Sequence, residues 1–164
     1  MRKGGFTLIE LVMVIVLLGI VSASAFVAIS SYKCHYLMAA AEKLSSDLRY
    51  ARNLALASSK WHGAVFSGNT YTVYETDGVN DIPISNPERE GEDFIINISD
   101  NYDDVSISSV NIASGNKVEF DPYGVPFSDK TGVPISSNGF VSLLKGGNCV
   151  VVTISPTSGA VTIQ

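Results

Sequence analysis

The chain opens with Met1-Arg2-Lys3-Gly4-Gly5-Phe6-Thr7-Leu8-Ile9-Glu10, a short basic leader and two glycines that run into an apolar segment with one carboxylate. No charged residue follows until Lys33. About 20 apolar residues in a helix are enough to cross the roughly 30 Å core of a bilayer, so we predict a membrane-spanning helix over residues 6–32. Because lysine and arginine tend to stay cytoplasmic, the basic leader predicts a cytoplasmic N-terminus.

A secretory signal peptide is the alternative, since it shares the basic start and the apolar stretch. Here the basic region is very short and the apolar run is longer than usual. Its exit, Ser30-Ser-Tyr-Lys-Cys-His-Tyr36, also lacks a small-x-small cleavage site. We therefore expect the apolar segment to be retained.

Glu10 is the residue that a plain membrane anchor would lack. A charge at the centre of a membrane helix costs about 2.5–3.5 kcal/mol and normally has a partner. Two explanations remain open. Either Glu10 is solvated at the level of the lipid headgroups, or it pairs with a cation brought by another copy of a similar helix.

The stretch Gly5-Phe6-Thr7-Leu8-Ile9-Glu10-Leu11 resembles the processing site of type IV pilins and type II secretion pseudopilins. The resemblance implies that a prepilin peptidase, which is also an N-methyltransferase, cuts after Gly5 and methylates Phe6. It further implies that Glu10 pairs with the N-terminal amine of a neighbouring subunit during filament assembly. Residues 1–5 would be a cleaved leader and residues 6–32 the helix in the filament core.

The composition fits one head domain, residues 33–164, in a chain of 164 residues with 46% hydrophobic content. The net charge is -5, which argues against an extended nucleic-acid surface. The predicted topology puts this head on the non-cytoplasmic side, and the resemblance implies that this is the periplasm, with the helix in the inner membrane. Cys34 and Cys149 would both lie there, where disulfides persist, and they either pair or stay separate thiols.

An amphipathic helix is predicted from Lys33 to about Ser59, because apolar residues recur at alternating steps of four and three. Such a stripe is covered by the chain's own sheet or forms a free dimer seam, and we favour the sheet. The stripe consists of Leu37, Ala41, Leu44, Leu48, Ala51 and Ala55.

Beyond Trp61 the pattern changes to short strands, two of them around a hairpin turn at Ser67-Gly68-Asn69. One long helix followed by strands alone predicts an α+β fold, in which an N-terminal helix with a membrane-spanning and an amphipathic half packs on an antiparallel β-sheet. By resemblance this is the pilin fold. Strands are predicted over residues 63–66, 70–74, 94–98, 105–107, 117–120, 140–144, 149–154 and 160–163.

Three later segments, together with the hairpin that follows the first of them, resemble in their order the family of H-type pseudopilins and T-type minor fimbrial pilins. They are Ser46-Asp-Leu-Arg-Tyr-Ala-Arg-Asn-Leu-Ala-Leu-Ala57, Phe120-Asp-Pro-Tyr-Gly124 and Ile154-Ser-Pro-Thr-Ser-Gly-Ala-Val161. The resemblance implies a minor subunit with a priming or tip role in a type II secretion pseudopilus or a type IV pilus. Fimbrial members linked to DNA uptake carry arginines near the C-terminus, which this chain lacks, so nucleic acid is not an expected partner.

The same resemblance names the expected partners. They are the prepilin peptidase/N-methyltransferase, other pilin or pseudopilin subunits, an inner-membrane assembly platform and membrane lipid.

The segment from Glu75 to Asp104 is acidic, with ten carboxylates and Arg89 as its one basic residue. Asp77, Asn80 and Asp81 offer oxygen ligands of the kind that calcium prefers, but their spacing does not match an EF-hand loop. We therefore expect a solvated acidic connection and no metal, with these three residues as the only calcium candidates.

Catalysis has little support, because His35 and His62 are the only histidines and neither has a nucleophile or metal-ligand spacing around it. We expect a structural, non-enzymatic protein without a cofactor. Two other classes stay open. One is a binding module whose head recognises DNA or a secreted substrate, and the other is a single-pass protein that never polymerises and keeps Met1 to Gly5.

Overall fold

The computed structural model describes the backbone of residues 7–164 and the side chains of residues 7–22 and 35–164. The chain divides into two compact units, Met1–His35 and Tyr36–Gln164. Within the described residues, no stretch of helix is both long and apolar enough to cross a membrane. The predicted membrane span over residues 6–32 includes Phe6 and the side chains of residues 23–32, which are not among those described. The span therefore stays a prediction.

The first element is helix α1 (Leu8–Ser58), which ends where the sequence predicted. Ser59 adopts a left-handed backbone conformation with φ 57°, the conformation that commonly terminates helices. The hydroxyl of Ser58 donates to the carbonyl oxygen of Leu54 at 2.7 Å, and it accepts the N–H of Lys60 at 3.3 Å. These local bonds replace the helical pattern and turn the chain toward the first strand.

The rest of the chain forms twelve strands and one short helix. They are β1 (Trp61–Ser67), β2 (Thr70–Thr76), β3 (Asp81–Pro83), β4 (Ser85–Asn86), β5 (Arg89–Asp93), β6 (Ile95–Asn97), α2 (Ile98–Asn101), β7 (Ser106–Asn111), β8 (Lys117–Phe120), β9 (Pro126–Phe127), β10 (Gly139–Lys145), β11 (Asn148–Ile154) and β12 (Val161–Ile163).

These strands make two main antiparallel sheets instead of the single predicted one. The larger sheet has the order β3-β2-β1-β8-β9, with β6 also paired to β2, and the smaller has the order β12-β11-β10-β7. β4 and β5 form a separate hairpin. The predicted β1–β2 hairpin is confirmed, with Ser67 opposite Thr70 across Gly68 and Asn69.

Asn69, in that hairpin turn, connects the two sheets. Its Oδ1 accepts the N–H of Ile107 on β7 at 3.0 Å, and its Nδ2 donates to the Oγ of Ser99 on α2 at 2.8 Å. The Asn69 side chain thus satisfies a backbone N–H of β7, an edge strand, and it holds the smaller sheet beside the larger one.

The hydrophobic core lies between α1 and both sheets. All six residues of the predicted stripe are at most 1% exposed, so the chain's own sheets cover it and the dimer-seam alternative is wrong. Burying one such leucine contributes about 1.5–3 kcal/mol. The sheets contribute Phe66, Tyr71, Val73, Val118 and Phe120 from the larger, and Val141, Leu143, Val152, Ile154 and Val161 from the smaller.

The segment from Glu75 to Asp104 is more ordered than the predicted connection. It contains β3, the β4–β5 hairpin, β6 and α2. The predicted strand over residues 94–98 is shortened because Asn97 caps α2, its Oδ1 accepting the N–H of Ser99 at 3.2 Å. The residues of β5 are all exposed, so this strand has no alternation of apolar and polar side chains by which the sequence could reveal it.

Candidate functional site

The predicted processing and assembly residues lie at the start of the chain. Gly5 and Phe6 lie outside the described residues, so cleavage and methylation there stay predictions. Glu10 is exposed in the first turn of α1. From Leu8 to Val21 the helix presents exposed apolar side chains, as illustrated by Leu8 at 82% exposure.

Thr7 caps the N-terminus of α1, a role that the sequence analysis missed. Its Oγ1 accepts the N–H of Glu10 at 3.3 Å, and its carbonyl oxygen accepts the N–H of Leu11 at 3.2 Å. A threonine followed three residues later by a glutamate is the capping-box pattern, and that spacing was readable from the sequence. Glu10 therefore has a second possible role, because a carboxylate in the first turn also interacts favourably with the helix dipole.

In the head, a partly buried ionic cluster joins α1 to the larger sheet. Lys43 Nζ lies 3.0 Å from Asp47 Oδ1 and 2.5 Å from Glu88 Oε1. The hydroxyl of Tyr71 on β2 donates to Asp47 Oδ2 at 2.6 Å. Both oxygens of the nearly buried Asp47 carboxylate are thus satisfied, which such burial requires.

This cluster shifts the pKa values of its members. Burial raises the pKa of Asp47 despite the hydrogen bonds from Tyr71 and Lys43. Burial would lower the pKa of Lys43, but its hydrogen bonds to Glu88 and Asp47 outweigh that effect and raise it. Burial, together with the neighbouring Asp47 carboxylate, raises the pKa of Tyr71 far above its usual range. At neutral pH Tyr71 is therefore a hydrogen-bond donor.

A second buried carboxylate, Glu119, lies on the opposite face of the larger sheet. It is 1% exposed and accepts hydrogen bonds from the Tyr74 hydroxyl at 2.8 Å and from the backbone N–H of Lys130 at 2.5 Å. Lys117 Nζ lies 3.1 Å from Glu119 and 2.6 Å from Asp129. Gly63 makes room for it, since a Cβ there would lie 2.8 Å from Glu119 Cγ. The cluster fastens the loop after β9 over the sheet.

The two histidines belong to different units of the chain, and each is described by its own surroundings. His35 is exposed and belongs to the first unit. His62 is buried on β1, with Nδ1 3.3 Å from the carbonyl oxygen of Lys60 and Nε2 3.8 Å from Glu75. Burial lowers the pKa of His62, and the neighbouring Glu75 carboxylate opposes this only in part.

The lowered pKa of His62 predicts that acid destabilises the head. In the unfolded chain the imidazole takes up a proton near pH 6.5, whereas the folded state resists it to lower pH. Stability is therefore full above about pH 6.5 and falls as pH drops toward the folded pKa. We expect the free energy of unfolding, followed by urea titration and Trp61 fluorescence between about pH 5 and pH 8, to fall more steeply for the wild type than for His62→Gln. If the free energy of unfolding fell equally with pH in the wild type and in His62→Gln, the lowered pKa of His62 would not be the cause of the acid destabilisation.

The calcium candidates lie in the turn between β2 and β3. Asp77 Oδ1 accepts the N–H groups of Asn80 and Val79 at 2.7 and 2.8 Å, which lowers the pKa of Asp77 to about 2. The ammonium group of Lys130 donates to the Asp77 carbonyl oxygen at 2.8 Å. Among the described residues, no group of three or more histidines, cysteines and carboxylates could hold a metal ion. Asp77 therefore closes a turn, and Asp81 begins β3.

The cysteine prediction falls partly outside the described side chains. Cys149 is an exposed free cysteine on β11, and the side chain of Cys34 is not among those described. Both alternatives, a disulfide between Cys34 and Cys149 or two separate thiols, therefore stay predictions.

Two arginines of α1 bring together the three segments that carried the narrower resemblance. Arg49 donates through Nε and Nη2 to the carbonyl oxygen of Val161 at 3.2 and 2.6 Å, and Arg52 donates to that of Gly124 at 3.1 Å. Gly159 packs against this Arg52–Gly124 contact. A Cβ added at Gly159 would lie 2.4 Å from the backbone oxygen of Gly124 and 3.0 Å from Arg52 Nε. The end of the helix thus holds both late glycine turns.

Comparisons with known proteins agree with this description. A family model described as the prokaryotic N-terminal methylation motif matches residues 1–26. No curated protein is significantly similar in sequence.

Two solved structures of the type IV minor pilin FimU from Pseudomonas aeruginosa, in different crystal forms, share the fold. One is 17% identical, with a TM-score of 0.55 over 80% of this chain and 90% of that one. The other is 15% identical, with a TM-score of 0.53 over 78% and 92%. The chain therefore combines the N-terminal methylation motif with the pilin α+β fold, which confirms the predicted resemblance to the type IV pilin and pseudopilin superfamily.

Proposed function

We propose that the chain is a minor pilin or pseudopilin subunit of a filament. The observation that carries this proposal is the N-terminal methylation motif over residues 1–26. It is supported by a pilin fold and by a helix whose exposed residues are apolar from Leu8 to Val21, with Glu10 as the one charge. An apolar helical surface of this kind is suited to packing against other apolar helices or lipid.

In this proposal the precursor waits in the inner membrane, with its N-terminus in the cytoplasm and its head in the periplasm. A prepilin peptidase/N-methyltransferase cuts after Gly5 and methylates Phe6. An assembly platform then moves the chain from lipid into the filament, where the apolar surface is buried against neighbouring subunits and Glu10 faces the amine of one of them.

A minor role is favoured over a major one by the likeness of the fold to a protein described as a minor pilin. The narrower resemblance to the H-type and T-type family also supports a minor role, and the segments that carry it meet at Arg49 and Arg52. We extend the proposal to a priming or tip position in a type II secretion pseudopilus or a type IV pilus.

Mass spectrometry of the N-terminus tests the proposal. The chain is expressed with and without a prepilin peptidase and the intact mass is measured. We expect loss of Met1 to Gly5 and one added methyl group on Phe6 only when the peptidase is present. The Gly5→Ala variant is the control and should stay at the precursor mass. A wild-type chain that keeps its leader beside an active peptidase would overturn the processing assignment and favour a single-pass protein that does not polymerise.

A further inference from the structure

The head contains a pocket of about 230 Å³ beside the ionic cluster of α1. It lies where α1, the β4–β5 turn and the region of α2 meet. This volume is below the range of about 300–1,000 Å³ typical of drug-sized sites, so the pocket fits a group the size of one amino-acid residue. Its lining consists of Lys43, Glu88, Arg89, Ile96, Asn101 and Tyr102.

The two acidic partners of Lys43 differ in how firmly they are held. The Asp47 side chain is 6% exposed and is also bound by the Tyr71 hydroxyl. The Glu88 side chain is 62% exposed, in a turn at the mouth of the pocket. Solvent-exposed ion pairs contribute only about 0–1 kcal/mol. Glu88 is therefore the partner that another carboxylate could replace at little cost.

Arg89 supplies a second cation at the same mouth. Its side chain is 60% exposed, and its Nη1 lies 3.6 Å from Glu92 Oε2, which is too long for a hydrogen bond. A guanidinium group presents paired N–H donors that match the two oxygens of a carboxylate. Ile96, only 6% exposed, offers an apolar wall beside these polar groups.

We propose that this pocket binds a carboxylate on a small organic group, which displaces Glu88 from Lys43 and accepts hydrogen bonds from Arg89. The exchange replaces one carboxylate at the ammonium group with another, so Lys43 is never left unpaired in a partly buried position. The ligand chemistry is that of a peptide C-terminus or of an acidic side chain. The proposal concerns the head alone and stands whether or not the chain enters a filament.

Titration of the isotope-labelled full chain, followed by NMR, tests the proposal. The probes are N-acetyl-leucine with a terminal carboxylate, N-acetyl-glutamic acid α-amide with a side-chain carboxylate, and N-acetyl-leucinamide with neither. We expect saturable shifts at Lys43, Asn101 and Tyr102 with at least one acid, and none with N-acetyl-leucinamide. The acid that binds more tightly identifies the source of the carboxylate.

Two variants and two matched controls test the exchange itself. Arg89→Gln should weaken binding about threefold to fivefold, and Glu88→Gln should strengthen it by a similar factor because the internal competitor is gone. Lys60→Gln and Glu75→Gln remove the members of an ion pair outside the pocket lining and should leave the affinity unchanged. The proposal is refuted if no acid binds, if the amide binds as tightly as the acids, or if Glu88→Gln weakens binding.

Discussion

Replacing Glu10 by alanine is expected to leave the chain inserted in the membrane while removing most of it from the filament. In the proposed assembly, the carboxylate compensates the N-terminal amine of a neighbour within an apolar core. Removing one partner of a buried ion pair costs about 3–5 kcal/mol, because the other charge is left uncompensated. That cost corresponds to a loss of incorporation of more than about a hundredfold.

The structure adds a competing explanation that a glutamine variant can separate from the first. Glu10 occupies the third position of a capping box, with its N–H bonded to the Thr7 hydroxyl. Glutamine also serves at this position of the box, so Glu10→Gln should restore the helix start while carrying no charge. If Glu10 acts only as a cap, glutamine rescues incorporation. If it pairs with an amine, glutamine fails as alanine does.

The measurement is the ratio of this subunit in sheared filaments to that in the membrane fraction, by immunoblot, with the remaining subunits present. Thr7→Ala serves as a second control, because it removes the hydroxyl that caps the helix but keeps the carboxylate. Normal incorporation of Glu10→Ala would rule out the pairing role. A defect in Thr7→Ala as severe as that of Glu10→Ala would assign the effect to the helix start.

The parts of the fold that could be predicted are those in which the sequence carries a strong local pattern of apolar residues or turn residues. The helical stripe from Leu37 to Ala55 follows the repeat of an α-helix, and every member is buried. The β1–β2 hairpin has a glycine-containing turn between two strands rich in aromatic and β-branched residues. In both cases a local pattern and the tertiary packing favour the same structure.

Polar residues that are buried by distant contacts could not be predicted in this way. Asp47 and its donor Tyr71 are 24 residues apart, and Lys43 and Glu88 are 45 apart. Glu119 alternates with core residues on β8 and therefore resembles a solvent-facing position, yet the loop after β9 covers it. A period of two assigns a residue to a face of the sheet, but it does not show whether another segment covers that face.

The narrower family resemblance rested on three weak matches whose order along the chain was their main support. In the structure these segments meet at one junction. Arg49 and Arg52, one helical turn apart near the end of α1, bind the carbonyl oxygens of Val161 and Gly124. The arginine pair on the helix and the glycines in both turns are thus parts of one junction.

Gly159→Ala is expected to disrupt this junction and to lower the free energy of unfolding by about 2–5 kcal/mol. Gly159 has φ +63°, a left-handed conformation that costs an L-residue with a Cβ roughly 1–2 kcal/mol. The added Cβ would also lie 2.4 Å from the backbone oxygen of Gly124, and overpacking of this kind costs about 1–3 kcal/mol more. The same Cβ would press on Arg52 and loosen its hydrogen bond to that oxygen.

Gly147→Ala separates the two costs, because Gly147 also has a positive φ, +86°, but nothing lies within 4 Å of its built Cβ. Urea unfolding of both variants, followed by Trp61 fluorescence, should show a loss near 1–2 kcal/mol for Gly147→Ala and a clearly larger one for Gly159→Ala. Equal losses would mean that the turn moves away from α1 without cost. In that case the Gly159 turn would not be held tightly against Gly124 and Arg52, and the junction described at the end of α1 would not stabilise the head.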